Sequence, residues 1–185
     1  YTELRRQTLP LTIASNDKPM PKVYIDEYNR TVKDGQLFFP LGFYTNSINN
    51  DLMDKIVYAK FNTFMNYGLP WGSVAAIQGK LREAASRNLN VIFSVKDTYD
   101  GTKYELNSWN GHTGTFNVFK AIINTFKDKD AYPAILAWYI NDELNTGYLD
   151  VLQEHYDWLK NADYEHPAWQ VLGPAQDLPL HVNNT

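Results

Sequence analysis

The chain has 185 residues, of which 44% are hydrophobic and 15% aromatic, and it contains no cysteine. This length and content predict one globular domain with a sizeable core, and the lack of cysteine excludes disulfides, thiolate metal sites and cysteine nucleophiles. The formal net charge of −4, with scattered Lys and Arg, provides no basic stripe for nucleic acid. No apolar run approaches the ~20 residues that a membrane span needs. We therefore expect neither nucleic acid nor a membrane as a partner.

The first part of the chain predicts a boundary followed by a turn. Residues 1–22 mix three prolines with short polar stretches and hold no period, so we interpret them as a linker or the edge of a preceding domain. Residues 23–185 then form the main domain. Within it, Asp34-Gly35 separates two short extended arms and supplies the two positive-φ positions of a tight β-hairpin.

Short buried strands alternate with amphipathic helices from there onward. Helix starts are predicted at Asn49 or Asn50 and at Ser73, and two further helices are marked by apolar residues at helical spacing around 116–126 and 149–159. This alternation predicts an α/β fold in which all strands lie parallel in one sheet, with the helices outside. The predicted strands lie near residues 39–44, 63–67, 91–95, 135–140 and 168–172.

Polar and aromatic side chains follow the well-defined strands where each one ends. The carboxyl ends of parallel strands meet at one face, so these side chains should gather there. Amides, carboxylates and flat rings, without a glycine-rich phosphate loop or a histidine cluster, favour a hydroxyl-rich ligand such as a sugar and predict no cofactor and no metal. The candidate ligand contacts are Tyr44, Asn46, Asn66, Tyr67, Asp97, Tyr99, Asn141 and Asp142, with Lys96 beside them.

The apolar stretch at residues 135–140 breaks directly into Asn141, Asp142 and Glu143. An apolar strand with carboxylate side chains at its C-terminal end is typical of an active site in such folds. The alternative is structural, because acidic residues before a helix also cap it and complement its dipole.

Two segments resemble a known family. Residues 34–44, DGQLFFPLGFY, are similar to the entry into the catalytic barrel of the large retaining (β/α)8 clan of glycoside hydrolases, which includes the β-galactosidase and β-glucuronidase type. Residues 133–143, PAILAWYINDE, resemble the fourth-strand segment of that clan, which ends in an Asn-Glu pair. The resemblance covers roughly residues 30 to 172. It implies a partial TIM barrel of about five βα units after a hairpin, a carbohydrate substrate, and a secreted, periplasmic or cell-surface protein.

The same resemblance implies that Glu143 is the catalytic general acid/base and that the residue before it contacts the sugar 2-hydroxyl. Here that residue is Asp142 rather than Asn. Either Asp142 makes the contact, or Asn141 makes it in a shifted register, since strict strand alternation points Asn141 and Glu143 the same way. We also expect Glu143 to be partly buried beside Trp138 and Tyr139, because a general acid has to keep its proton.

The nucleophile of the clan stands at the end of a seventh strand, which this sequence lacks. Retaining hydrolysis needs two carboxyl groups about 5.5 Å apart, so the chain alone should be inactive. The first alternative is a non-catalytic carbohydrate-binding or assembly module on a degenerate half-barrel. Another is an open doubly wound sheet that binds a nucleotide or small acid. An uncompleted barrel should also self-associate or associate with the missing half, because it exposes a strand edge and an apolar interior.

Overall fold

A computed structural model describes residues 19–173. Most of the linker assigned to residues 1–22 therefore lies outside the described residues, but its end packs on the domain, where Lys22 Nζ donates to the Pro133 carbonyl at 2.6 Å. The predicted hairpin is confirmed: Asp34 and Gly35 have φ values of 49° and 74° and join two antiparallel strands.

The strands and helices of the described residues follow the predicted alternation. The strands are β1 (Val23–Ile25), β2 (Thr31–Lys33), β3 (Gln36–Leu37), β4 (Gly42–Thr45), β5 (Thr63–Asn66), β6 (Asn90–Ser94), β7 (Ser108–Trp109), β8 (His112–Thr113), β9 (Ile135–Asp142) and β10 (Ala168–Val171). The helices are α1 (Asn50–Tyr58), α2 (Val74–Ser86), α3 (Thr115–Phe126) and α4 (Leu149–Ala162). Short 3-10 turns at Leu69–Trp71 and Thr146–Tyr148 follow β5 and β9. No helix in this described part of the chain has the length and apolar character to cross a membrane.

Five strands form one sheet in the order β10-β9-β6-β5-β4, and all four neighbouring pairs are parallel. The predicted parallel sheet is thus confirmed. Neighbours in the sheet are also neighbours in chain order, without the reversal that defines a doubly wound sheet. The doubly wound alternative is therefore wrong, and the fold is part of a (β/α)8 barrel.

Side-chain caps begin the first two helices where the sequence predicted them. The Asn49 side chain accepts from the Leu52 amide at 2.9 Å, and Ser73 Oγ accepts from the Ala76 amide at 3.3 Å. These bonds satisfy amides that have no partner inside the helix.

The sheet buries apolar side chains on both of its faces. The larger cluster lies between the strands and the helices and includes Phe64, Phe93 and Trp138. A smaller cluster on the opposite face includes Met65, Ile92 and Tyr139. We call the side of this second cluster the concave face, because it corresponds to a barrel interior. The burial of both faces explains why the strands are continuous apolar runs.

Candidate functional site

A cleft of about 480 Å³ lies where the carboxyl ends of β4, β5, β6 and β9 meet. Its walls come from the carboxyl end of β9 and from the segments that follow β4, β5 and β6, as expected for parallel strands. We call it the polar cleft, lined by Asn46, Tyr67, Gly68, Trp71, Lys96, Asp97, Tyr104 and Asp142.

Lys96 joins two carboxylates that the chain keeps far apart in sequence. Its Nζ lies 2.7 Å from Oδ1 of Asp97 and 3.5 Å from Oδ2 of Asp142. The side chains of Lys96 and Asp97 are only 12% and 8% exposed, while that of Asp142 is 31% exposed. In such a setting solvent screens the charges less than at the surface, so the pairing fixes all three groups.

Each carboxylate uses its other oxygen for a neutral aromatic donor. Trp71 Nε1 donates to Oδ2 of Asp97 at 3.0 Å, and the Tyr139 hydroxyl donates to Oδ1 of Asp142 at 2.7 Å. Burial, followed by this bond to an ionised carboxylate, raises the pKa of Tyr139 far above its usual range. Tyr139 therefore stays a hydrogen-bond donor at all physiological pH values.

Aromatic rings form the remaining walls. Tyr44 and Tyr67 meet edge to face with centroids 5.7 Å apart, and Tyr139 lies 5.8 Å from Tyr44. Lys96 Nζ stands 5.0 Å from the Tyr67 ring and 5.7 Å from the Tyr104 ring. Three of the rings remain open to a ligand, with Tyr44, Trp71 and Tyr104 being 45%, 50% and 55% exposed.

The sequence left open whether Asn141 or Asp142 faces the site, and the geometry places Asp142 there. Along β9, Tyr139 pairs with Trp169 but Asn141 pairs with Gln170, so Ile140 is an extra residue in a bulge. A bulge shifts the alternation by one position. Asp142 consequently faces the same side as Tyr139, whereas Asn141 is 1% exposed, donates to the Val171 carbonyl and accepts from the Leu144 amide.

Glu143 departs from its expected surroundings. The residue is exposed rather than partly buried beside Trp138 and Tyr139, and the expectation of burial is wrong. Its backbone is left-handed, with φ of 57°, and its amide donates to the Val171 carbonyl at 3.0 Å. This conformation follows from the bulged end of β9, which turns the chain out of the sheet just before the side chain that was assigned to acid/base chemistry.

Two further candidate contacts lie inside the protein rather than on the cleft wall. Tyr99 is 0% exposed, its hydroxyl donates to the Ile140 carbonyl at 2.7 Å, and its ring stacks on His155. Asn66 is 1% exposed, donates to the Thr45 carbonyl and pairs across the sheet with Phe93, which faces the helices. Both therefore support the strand ends from behind.

Among the predicted contacts, Asn46, Tyr67, Asp97 and Asp142 line the polar cleft, and Tyr44 adjoins it through Tyr67 and Tyr139. The sequence reasoning missed Trp71, because this residue comes five positions after the end of β5 within a short 3-10 turn. In the described part of the chain, no group of three or more His, Asp or Glu side chains is placed to hold a metal ion.

Comparisons with known proteins bear on the fold. No protein-family model and no curated protein sequence matches the chain. Among solved structures, a β-glucuronidase from an uncultured Clostridium species matches 84% of this chain with a TM-score of 0.59 and 14% identity, and the chain spans 29% of its length. An endoglucanase from Pseudomonas stutzeri, solved with cellobiose, matches 69% of the chain with a TM-score of 0.44 and 12% identity over 40% of its length. The first of these likenesses agrees with the resemblance read from residues 34–44 and 133–143. The described chain thus has the fold of part of a (β/α)8 barrel.

Proposed function

We propose that this chain is part of a glycoside hydrolase-like barrel and binds a carbohydrate in the polar cleft. The observation that carries the proposal is the combination of paired carboxylates with exposed aromatic rings at the carboxyl ends of the strands. In a (β/α)8 barrel this end is where ligands bind.

The chemistry of the walls fits a sugar. Hydroxyl groups need acceptors and donors at fixed positions, which Asp97, Asp142 and Asn46 provide. The apolar faces of a sugar ring pack on flat aromatic rings, and the exposed faces of Tyr44, Trp71 and Tyr104 offer such a surface. The β-glucuronidase that shares the fold carries a sugar-cleaving activity in its name.

Within this proposal Asp142 takes the contact with the sugar 2-hydroxyl, and Glu143 is the acid/base. The role of Glu143 comes from the resemblance of residues 133–143. The Glu143 carboxyl group, in its protonated form and turned toward a bound sugar, would give its proton to the leaving oxygen, but retaining hydrolysis also needs a second carboxyl group about 5.5 Å away. Asp97 is a poor nucleophile, since Lys96 and Trp71 occupy both of its oxygens.

A non-catalytic carbohydrate-binding or assembly module is the second candidate. The exposed, left-handed position of Glu143 favours it, because a general acid works best in a partly desolvated place. The glycosidase and the carbohydrate-binding module both require the polar cleft to bind sugar, and they differ in whether Glu143 takes part in bond cleavage in a complete barrel, whereas an assembly module need not bind sugar.

The experiment is a titration of the chain with β-linked oligosaccharides, in which calorimetry and changes in tryptophan fluorescence measure binding. Trp71→Ala and Tyr104→Ala should each weaken binding by about tenfold, since each removes an exposed ring of the cleft lining that packs on the sugar. Tyr58→Ala is the matched control, because Tyr58 is 87% exposed at the end of α1 and outside the cleft lining. Equal binding by all variants would contradict the cleft as the site.

A further inference from the structure

The charged side chains that line the polar cleft carry an excess of negative charge. Asp97 and Asp142 line it together with one cation, Lys96. Glu143 follows Asp142 directly in the chain, but it is exposed and does not line the cleft. Among the described residues, two carboxylates therefore line the cleft, against one ammonium.

Lys96 has little capacity left for an anionic ligand. Its ammonium lies within reach of both carboxylates and is flanked by the rings of Tyr67 and Tyr104. Lys103 is the other lysine near these rings, with Nζ 4.9 Å from the Tyr104 ring, but it is exposed and does not line the cleft. Water screens such a charge strongly.

Resting on the proposed function, we propose that the cleft selects sugars that are uncharged or carry an amine over uronic acids. A uronate carboxylate would enter a partly dehydrated space that already holds two carboxylates, and the cation that lines this space among the described residues, Lys96, is paired with both of them. A protonated amino sugar would be attracted by the same groups, and the nest of two carboxylates and two rings already holds an ammonium, that of Lys96.

The test compares three oligosaccharides with one backbone. Tetramers of β-1,4-linked glucosamine, glucose and glucuronate are titrated into the chain at about pH 6, where the amine is protonated and the uronate ionised. We expect glucosamine to bind at least as tightly as glucose, and glucuronate at least about tenfold more weakly than glucose. Raising the salt concentration should bring the three affinities together.

Variants test the cause of the selection through the ratio of the glucose and glucuronate affinities. Asp142→Asn and Asp97→Asn should each reduce that ratio, because each removes one of the two carboxylates that line the cleft, whereas Lys96→Met should increase it. Glu143→Gln removes an exposed charge outside the lining and should change the ratio less than Asp142→Asn does. Tyr58→Ala is again the control, with an unchanged ratio.

The outcomes separate this inference from the proposed function. Glucuronate binding as tight as that of glucose, or a ratio that changes neither with salt nor in Asp142→Asn and Asp97→Asn, would overturn the charge selection while leaving sugar binding intact. Failure of all three tetramers to bind would overturn the proposed function and this inference with it.

Discussion

The Tyr139 hydroxyl donates a hydrogen bond of 2.7 Å to the carboxylate of Asp142, three residues further along the same strand. A regular strand would place these two side chains on opposite faces, and the bulge at Ile140 brings them to the same one. The bond connects the concave face to Asp142, which is the more exposed of the two carboxylates that pair with Lys96.

Tyr139→Phe should lower the free energy of unfolding by about 1 kcal/mol and weaken sugar binding severalfold. The ring remains to fill the core, while Asp142 loses its neutral donor and is freer to move. Denaturant unfolding and calorimetric titration measure the two effects. Tyr132→Phe is the control, since its hydroxyl accepts from Gln78, away from the polar cleft. Unchanged sugar affinity in Tyr139→Phe would mean that Asp142 does not depend on this bond.

The sequence alone predicted much of the fold, because local signals specify it. Strands buried on both faces are continuous apolar runs, and Asn49, Ser73 and the Asp34-Gly35 turn each act on neighbouring residues. The predicted first strand began too early, since pairing with β5 starts only at Gly42. That start depends on the partner strand rather than on local sequence.

The site was less predictable, because its details depend on distant contacts. A strict alternation rule equated Asn141 with Glu143, and only pairing with β10 reveals the extra residue Ile140. Tyr99 followed a strand end, as the true cleft residues do, but α4 supplies His155 to cover it. The sequence contains no local mark of either contact.

Catalysis should be absent in the chain of 185 residues. Loss of a covalent nucleophile costs several powers of ten in rate, and one acid/base cannot replace it. Release of nitrophenol from aryl β-glycosides measures this, with Glu143→Gln as the matched control for contaminating activity. Efficient turnover that Glu143→Gln abolishes would contradict the prediction and imply a nucleophile supplied by a second copy.

In a protein that contains a whole barrel, Glu143→Gln should affect substrates unequally. Poor leaving groups need protonation and should lose far more turnover than activated aryl glycosides, for which the step hardly depends on an acid. The ratio of kcat/KM values for alkyl and aryl glycosides is the measurement. Equal losses on both, or no loss, would remove Glu143 from the acid/base role and favour the binding module.

Two glycines should respond oppositely to alanine. A Cβ on Gly42 would clash with the Thr63 carbonyl oxygen, so Gly42→Ala forces β4 away from β5 and should lower the free energy of unfolding by about 3 kcal/mol or more. Gly79 lies within α2, and no atom lies within 4 Å of the Cβ that alanine would add there. Gly79→Ala should therefore raise the free energy of unfolding by as much as about 1 kcal/mol. Thermal unfolding of both variants tests the close approach of the first two strands, and a neutral Gly42→Ala would contradict it.

His155 should make stability depend on pH. It is 1% exposed, and its ring nitrogens lie 2.8 Å and 3.1 Å from the carbonyls of Val151 and Thr98. Burial lowers its pKa, outweighing the two carbonyls and Glu154, while Lys120 adds to the lowering. The pKa of His155 is thus lower in the folded than in the unfolded chain. The contribution of neutral His155 to the free energy of unfolding is therefore complete above about pH 6.5 and is lost as the pH falls further.

Chemical unfolding at about pH 7.5 and pH 5.5 measures this loss, and His155→Gln should make it smaller. Asp163 does not interfere, although burial alone would raise its pKa, because hydrogen bonds from His166 and Trp138 lower it and move its titration to more acidic pH. An equal loss of stability in His155→Gln and the unmodified chain would assign the pH dependence to other groups.

Self-association is expected of the chain, since the sheet ends on both sides without a partner strand among the described residues. β4 pairs only with β5, and β10 only with β9. Beside β4 a cavity of about 370 Å³ opens on the concave face, lined by apolar residues that include Met65, Ile92 and Trp169. An open edge next to an apolar surface favours pairing with another chain.

Sedimentation velocity over a range of concentrations should therefore reveal dimers or larger species. Trp169→Lys should reduce the association by placing a charge on the concave face, whereas Tyr58→Lys on α1 should not. A monomer that persists at high concentration would contradict the prediction.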